Sequence, residues 1–181
     1  ARIIDRPIRP MFPDNFNREV QVIVQALSAD KKFAPDVLGV SAASLAIGLS
    51  ELPFEEQVAA VRVAVLDGTP IVCPSYDQVA MADLDLVVAG TENSVCMVEG
   101  GAYEVSEETM IQAILAGHEV IKLLCRAQQE LVDRCSKPKM VLTPKNAGEA
   151  HEKLEATIKE VIFQELYDTL HTPMVKTEHY P

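Results

Sequence analysis

Leu84-Asp85-Leu86-Val87-Val88-Ala89-Gly90-Thr91, followed closely by Val95-Cys96-Met97-Val98-Glu99-Gly100, is the stretch that decides the fold. Two apolar, β-type runs flank a turn of small residues, which predicts paired strands over 84–89 and 94–99, with Gly100-Gly101 ending the pair. Upstream, Ala60-Val61-Arg62-Val63-Ala64-Val65-Leu66 meets Pro70-Ile71-Val72-Cys73 through Asp67-Gly68-Thr69. Asp-Gly between two such runs is a strong hairpin signal, so a sheet of at least two strand pairs is expected.

Helical patterns surround this sheet. Pro35 and Asp36 open an Ala-, Leu- and Ser-rich run over 37–49 that ends near Gly48 and Pro53-Phe54, and 75–82 adds a short helix. Ser106 before Glu107 and Glu108 is a good helix start, because its hydroxyl caps free amides and the acids complement the dipole. That helix is expected to run to about Arg134, with Met110, Ile114, Leu115, Val120, Leu124 and Leu131 as apolar positions. Ser136-Lys137-Pro138-Lys139 interrupts the pattern, and Thr143-Pro144, with Asn146 three residues before Glu149, reads as a new helix start. Over 149–170 an apolar stripe of Leu154, Ile158, Val161, Ile162, Leu166 and Leu170 calls for a surface to dock on. The class is α+β.

Two segments are expected to be extended. Pro7, Pro10 and Pro13 recur every third position and remove backbone donors, which predicts an arm at the N-terminal end. The alternation Val20-Gln21-Val22-Ile23-Val24-Gln25-Ala26-Leu27 predicts a mostly buried strand.

With 181 residues, 48% of them apolar and 24% charged, the chain is long enough to bury a sizeable core and too hydrophobic for disorder. No apolar run reaches the roughly 18 residues of a membrane helix, so no membrane partner is expected. The start, Ala1-Arg2-Ile3-Ile4-Asp5, has neither an initiator Met nor the parts of a signal peptide, and reads as a segment of a longer chain. Cys73, Cys96, Cys125 and Cys135 lack metal-type spacing; the first three sit among apolar neighbours as buried thiols do, which suits a reducing cytoplasm.

A net charge of −11 excludes a nucleic-acid footprint over the whole surface, so any RNA contact must be local. Positive charge clusters at Arg2, Arg6 and Arg9, offset only by Asp5, and three guanidinium forks could meet successive phosphates or one bound anion. The plainer reading pairs them with acids of their own domain. Alternation puts Asp83 and Asp85 on one face of a strand, as magnesium sites use, and Glu99 sits across the presumed hairpin, although an acid at a strand entrance usually faces solvent or caps a turn. His118 beside Glu119 could be an acid/base pair or a structural helix histidine. His151, His171 and His179 have no zinc spacing. Ser41, Ser44 and Ser50 could cradle phosphate or pack tightly in a helix. The P-loop, Gly-x-Gly-x-x-Gly, Gly-x-Ser-x-Gly and Cys-x-x-Cys fingerprints do not occur.

Taken in order, Ile4-Asp-Arg-Pro-Ile-Arg-Pro-Met-Phe-Pro13, Glu19-Val-Gln-Val22, Ala43-Ser44 with Leu49-Ser50 and Pro53-Phe54, Ala60-Val-Arg-Val63, 84–91, Met97-Val-Glu99 and Leu115-Ala-Gly-His-Glu119 resemble bacterial polynucleotide phosphorylase. The resemblance is to the first of its two RNase PH-like domains. It implies an RNase PH-type fold, related to the second domain of ribosomal protein S5, over 1–135 with its N-terminal strands missing. A linker at 136–145 and the start of an all-helical domain at 146–181, a C-terminal helical appendage, would follow. The activity implied is phosphate-dependent 3′-to-5′ exoribonuclease action on single-stranded RNA, releasing nucleoside diphosphates with inorganic phosphate as co-substrate and Mg2+ assisting. Homotrimers whose six RNase PH-like domains ring a channel are implied, as are other RNA-degradation proteins as partners. In the family the phosphate-binding serines and metal-binding aspartates belong to the second such domain. This one is therefore expected to carry no catalytic residue and no metal ligand of its own, and to contribute Arg2, Arg6 and Arg9 to RNA or phosphate binding. Two alternatives stay open: a structural or RNA-binding subunit of an exosome-like ring, and an active transferase using Asp83, Asp85 and Glu99.

Overall fold

The computed structural model describes residues 1–142 and 149–171, and the side chains of the last helix from residue 152. The chain divides into two compact units, Ala1–Leu142 and Thr143–Pro181.

In the first unit four antiparallel strands, β1 (Ala59–Leu66), β2 (Thr69–Val72), β3 (Leu84–Gly90) and β4 (Val95–Ala102), lie in the order β2-β1-β3-β4. Helices α1 (Arg2–Ile8) and α2 (Asp36–Leu49) cover one face and the long α4 (Glu107–Cys135) the other, with the one-turn helix α3 (Tyr76–Ala80) between β2 and β3. The central strands are covered on both faces, and β1 accordingly reads as a continuous apolar run broken only by Arg62. Val61, Val63 and Val65 meet Leu84, Leu86, Val88, Ala113 and Ile121 beneath α4. On the opposite face Ala60, Val87, Ala89 and Met97 meet Ile8, Val40, Ala43 and Ile47.

The expected hairpin forms where Asp-Gly places it. Asp67 and Gly68 both have positive φ, 49° and 74°, the two left-handed residues of a tight turn that matches strand twist. The second pair is also present but runs through Gly100 and Gly101 to Ala102 instead of ending there. Gly100 lies directly against the backbone of Asp85 and Leu86, where no Cβ fits, so the glycine extends the ladder.

The N-terminal segment is helical, not extended. Over Arg2–Ile8 the chain forms α1, followed by a single 3-10 turn at Arg9–Met11, and only from Phe12 does the backbone open out. Pro7 sits inside this helix and is buried with Ile8, while Ile3 and Ile4 pack against the same core. Burial of one apolar face on α2 outweighs the single amide bond Pro7 forgoes.

The segment 20–27 joins no ladder. No described strand pairs with it, and Ile23 and Leu27 remain 81% and 89% exposed. Alternation supplies two faces, but a strand needs a neighbour for its amides and carbonyls.

Helix α4 starts on Ser106 as expected, the hydroxyl accepting from the Thr109 amide. Its buried positions are Ala113, Gly117, Ile121, Cys125, Gln128 and Val132, whereas Leu115, Leu124 and Leu131 are exposed. Met110, Ile114 and Val120 pack partly against the same core, and the helix comes closest at Gly117, where a Cβ would stand 2.9 Å from Val63 Cγ2. Cys125 is buried as expected, but Cys73 and Cys96 are exposed, since β2 and β4 are the sheet's outer strands.

The second unit contains α5 (Glu149–His171), along which Leu154, Ile158, Val161, Ile162, Leu166 and Leu170 are exposed. The expected helix start at Thr143, Pro144 and Asn146 lies outside the described residues. Among the described residues no helix is long and apolar enough to cross a membrane.

Candidate nucleic-acid interface

Helical folding of residues 2–8 changes what the three arginines can do. Spaced at i, i+4 and i+7, Arg2, Arg6 and Arg9 fall on one side of α1 and its 3-10 extension. The other side carries Ile4, Pro7 and Ile8 into the core. An extended arm would have splayed the guanidinium groups; the helix gathers them into a stripe.

Each arginine has a different electrostatic setting. Arg9 forks onto Asp5, with Nη2 2.7 Å from Oδ1 and 2.9 Å from Oδ2, and stays 76% exposed. Arg6 reaches across to Glu99 on β4 at 3.5 Å, again with both groups largely exposed. Among the described residues Arg2 has no ion-pair partner. Exposed pairs of this kind are worth about 0.2–1 kcal/mol, so they dress the arginines without locking them.

Beside Arg9 an open groove of about 540 Å³ is lined by Ile8, Phe12, Phe16, Arg18 and Val20. The rings of Phe12 and Phe16 stack with centroids 5.2 Å apart. Asp5, Asp14 and Glu19 share the groove with Arg9 and Arg18, so its formal charge is not positive.

The candidate magnesium carboxylates Asp85 and Glu99 do not converge. The register sets Asp85 opposite Gly101 and Glu99 opposite Val87, on the same sheet face, but different arginines take them up. Arg62 Nη1 donates to both oxygens of Asp85 at 2.9 and 2.7 Å, while Glu99 faces Arg6. Among the described residues no group of three or more His, Cys, Asp or Glu is placed to hold a metal ion.

The sequence reading missed what Arg62 does. Its Nη2 also donates to Asp36 Oδ2 at 2.6 Å, in the first turn of α2, tying helix to sheet. Desolvation works against the charge, but Asp36 and Asp85 outweigh it and hold the guanidinium pKa above its ordinary value. A cavity of about 430 Å³ opens beside this cluster, walled by Ile4, Val24, Pro35, Tyr76 and Val79. The signal was present in the sequence, since a lone arginine in an eight-residue apolar strand requires a partner.

Other candidates are structural. Helix α2 starts at Asp36, so Ser41, Ser44 and Ser50 lie beyond its first-turn amides. Ser44 is buried, donating to Gln57 Oε1 and accepting from the Val58 amide, and Ser50 donates to the Ile47 carbonyl. His118 Nε2 stands 3.1 Å from the Thr91 carbonyl, while Glu119 pairs with Lys122, which pulls the Glu119 carboxyl below its usual range. No acid/base pair forms between His118 and Glu119. His171 Nδ1 lies 2.9 Å from the Tyr167 carbonyl one turn back; the side chain of His151, and His179, lie outside the described residues.

Residues 56–120, from just before β1 into α4, match the 3′ exoribonuclease family, domain 2, which makes this helix-faced sheet an RNase PH-type fold. Beyond that class, the chain is homologous to a segment of the polyribonucleotide nucleotidyltransferases. It is 47% identical to that of Persephonella marina over 162 residues, covering 90% of this chain and 22% of the relative. With the Sulfurihydrogenibium azorense protein identity is 41%, covering 97% of this chain and 28% of the relative. The chain thus spans 22% and 28% of the length of these two curated relatives. Among solved structures, rice Rrp46 overlays with a TM-score of 0.47 at 14% identity, covering 56% of this chain and 48% of that one. An archaeal exosome core overlays at 0.38 and 14% identity, covering 42% of this chain and 32% of that one.

Proposed function

We propose that this chain is the RNase PH-type part of a phosphate-dependent 3′-to-5′ exoribonuclease in which it guides RNA and builds the ring, while the phosphorolytic chemistry resides elsewhere. The observation that carries the reading is the stripe of Arg2, Arg6 and Arg9 along one side of α1. A local stripe suits a chain of net charge −11, because it confines phosphate contact to one place on a repelling surface. The name shared by the relatives, polyribonucleotide nucleotidyltransferase, supports a polyribonucleotide as what the stripe meets.

Inorganic phosphate is the proposed co-substrate and Mg2+ the proposed cofactor of the whole enzyme, neither of them held by this segment. Asp85 and Glu99 support that division, since arginines already occupy them. A homotrimer in the cytoplasm, working with other RNA-degradation proteins, completes the proposal.

Fluorescence anisotropy with a short single-stranded oligoribonucleotide tests the stripe. Replacing Arg2, Arg6 and Arg9 together by Ala should weaken binding at low salt and reduce the slope of log K against log salt by about 2, the value for three phosphate contacts on a single strand. Unchanged affinity and slope would overturn the assignment. Supplying RNA, phosphate and Mg2+ to the folded chain should release no nucleoside diphosphate; release abolished by Asp83→Ala would place the chemistry at Asp83, Asp85 and Glu99 instead.

A further inference from the structure

One of the three stripe arginines already holds a carboxylate in the geometry a phosphate would take, and a second has one at its edge. Asp5 presents both oxygens to Arg9, which donates Nη2 at 2.7 and 2.9 Å and Nε at 3.3 Å, the fork expected of a bidentate oxyanion. Glu99 reaches Arg6 from β4, an element far away in sequence, at 3.5 Å. Arg2, one turn before Arg6, has neither.

We propose that Asp5 and Glu99 are internal competitors for the phosphates of bound RNA, so that Arg2 makes the first contact and Arg6 and Arg9 engage only as their carboxylates are displaced. This rests on the stripe being the RNA contact. Both pairs are largely exposed, so the swap costs little and needs no backbone movement. Once freed, each carboxylate faces an incoming phosphate of like charge and weakens binding further, which sets a ceiling on affinity and lets the strand slide instead of sticking.

The test compares Asp5→Asn, Glu99→Gln and, as a control of equal charge change, Glu130→Gln on α4, which covers the opposite face of the sheet. Circular dichroism first confirms the fold of each. Anisotropy with the same oligoribonucleotide should show Asp5→Asn and Glu99→Gln binding about two- to fivefold tighter than wild type, and tighter than Glu130→Gln. The gain from Asp5→Asn should vanish when combined with Arg9→Ala, and that from Glu99→Gln when combined with Arg6→Ala. If Arg6→Ala and Arg9→Ala weaken binding but the acid variants behave like Glu130→Gln, the competition is overturned and the stripe stands. If the arginine variants themselves bind like wild type, the stripe falls.

Discussion

Arg62 and Asp85 are diagonal neighbours on adjacent strands: the register sets Asp85 opposite Ala64, and Arg62 Nη1 reaches back to both Asp85 oxygens at 2.9 and 2.7 Å. With Asp36 on the other nitrogen, a single guanidinium joins β1, β3 and the start of α2. Removing it leaves two half-buried carboxylates facing apolar walls. Arg62→Met should destabilise the fold by about 1.5–3 kcal/mol, the range for hydrogen bonds to charged groups, and Asp85→Asn in that background should recover part of the loss. Urea unfolding of the single and double variants checks this.

Adjacent glycines in β4 should respond very differently to the same substitution. A methyl group at Gly100 would meet the Asp85 carbonyl and the Leu86 backbone, whereas one at Gly101 would meet nothing within 4 Å. Gly100→Ala should therefore cost about 1–3 kcal/mol through forced displacement of β3, with Gly101→Ala within about 0.5 kcal/mol of wild type. Denaturation midpoints of the two variants, measured side by side, decide the matter.

Lys139 closes the far end of α2. Its ammonium donates to the Gly48 carbonyl at 2.6 Å and the Ser50 carbonyl at 2.8 Å, and the neighbouring Lys137 amide donates to Leu49. Lys139→Met should cost about 1 kcal/mol, since a cation satisfying the last carbonyls of a helix also complements the negative end of its dipole. Hydrogen exchange should quicken at the C-terminal end of α2 while the β1–β3 ladder stays protected.

The four cysteines should separate cleanly by reactivity. Burial pushes the Cys125 thiol up to about 11, whereas Cys73, Cys96 and Cys135 are exposed. Near neutral pH an alkylating reagent should label the exposed three and spare Cys125 until the chain unfolds. Because the folded value lies above the ordinary 9.0, the neutral thiol's contribution is whole below pH 9.0 and declines as pH rises toward about 11. Stability followed by urea midpoint should fall across that window, and Cys125→Ser should shift its dependence.

What could be read from the sequence were features decided within a few residues. Asp67-Gly68 specified its hairpin because both residues accept positive φ, and Ser106 specified the start of α4 because its oxygen reaches an amide three residues on. The family resemblance drew on many such short stretches in order, and identity to the relatives carries it over 90% and 97% of the chain.

Tertiary structure decided the rest, because burial depends on what lies opposite. Pro7 and Pro10 argued for an extended arm, yet the apolar side of α1 had α2 to pack against, and that contact turned three scattered arginines into a stripe. Val20 to Leu27 had a strand's alternation and no described partner, so the pattern produced no ladder. On α4 size did not decide burial: Ala113, Gly117 and Ile121 face the sheet while Leu115, Leu124 and Leu131 stay exposed, since position around the helix sets which residues meet it. Local chemistry settled where the chain turns and where helices begin; which side chains meet, and so which charges stay exposed, followed only from the packing of distant elements.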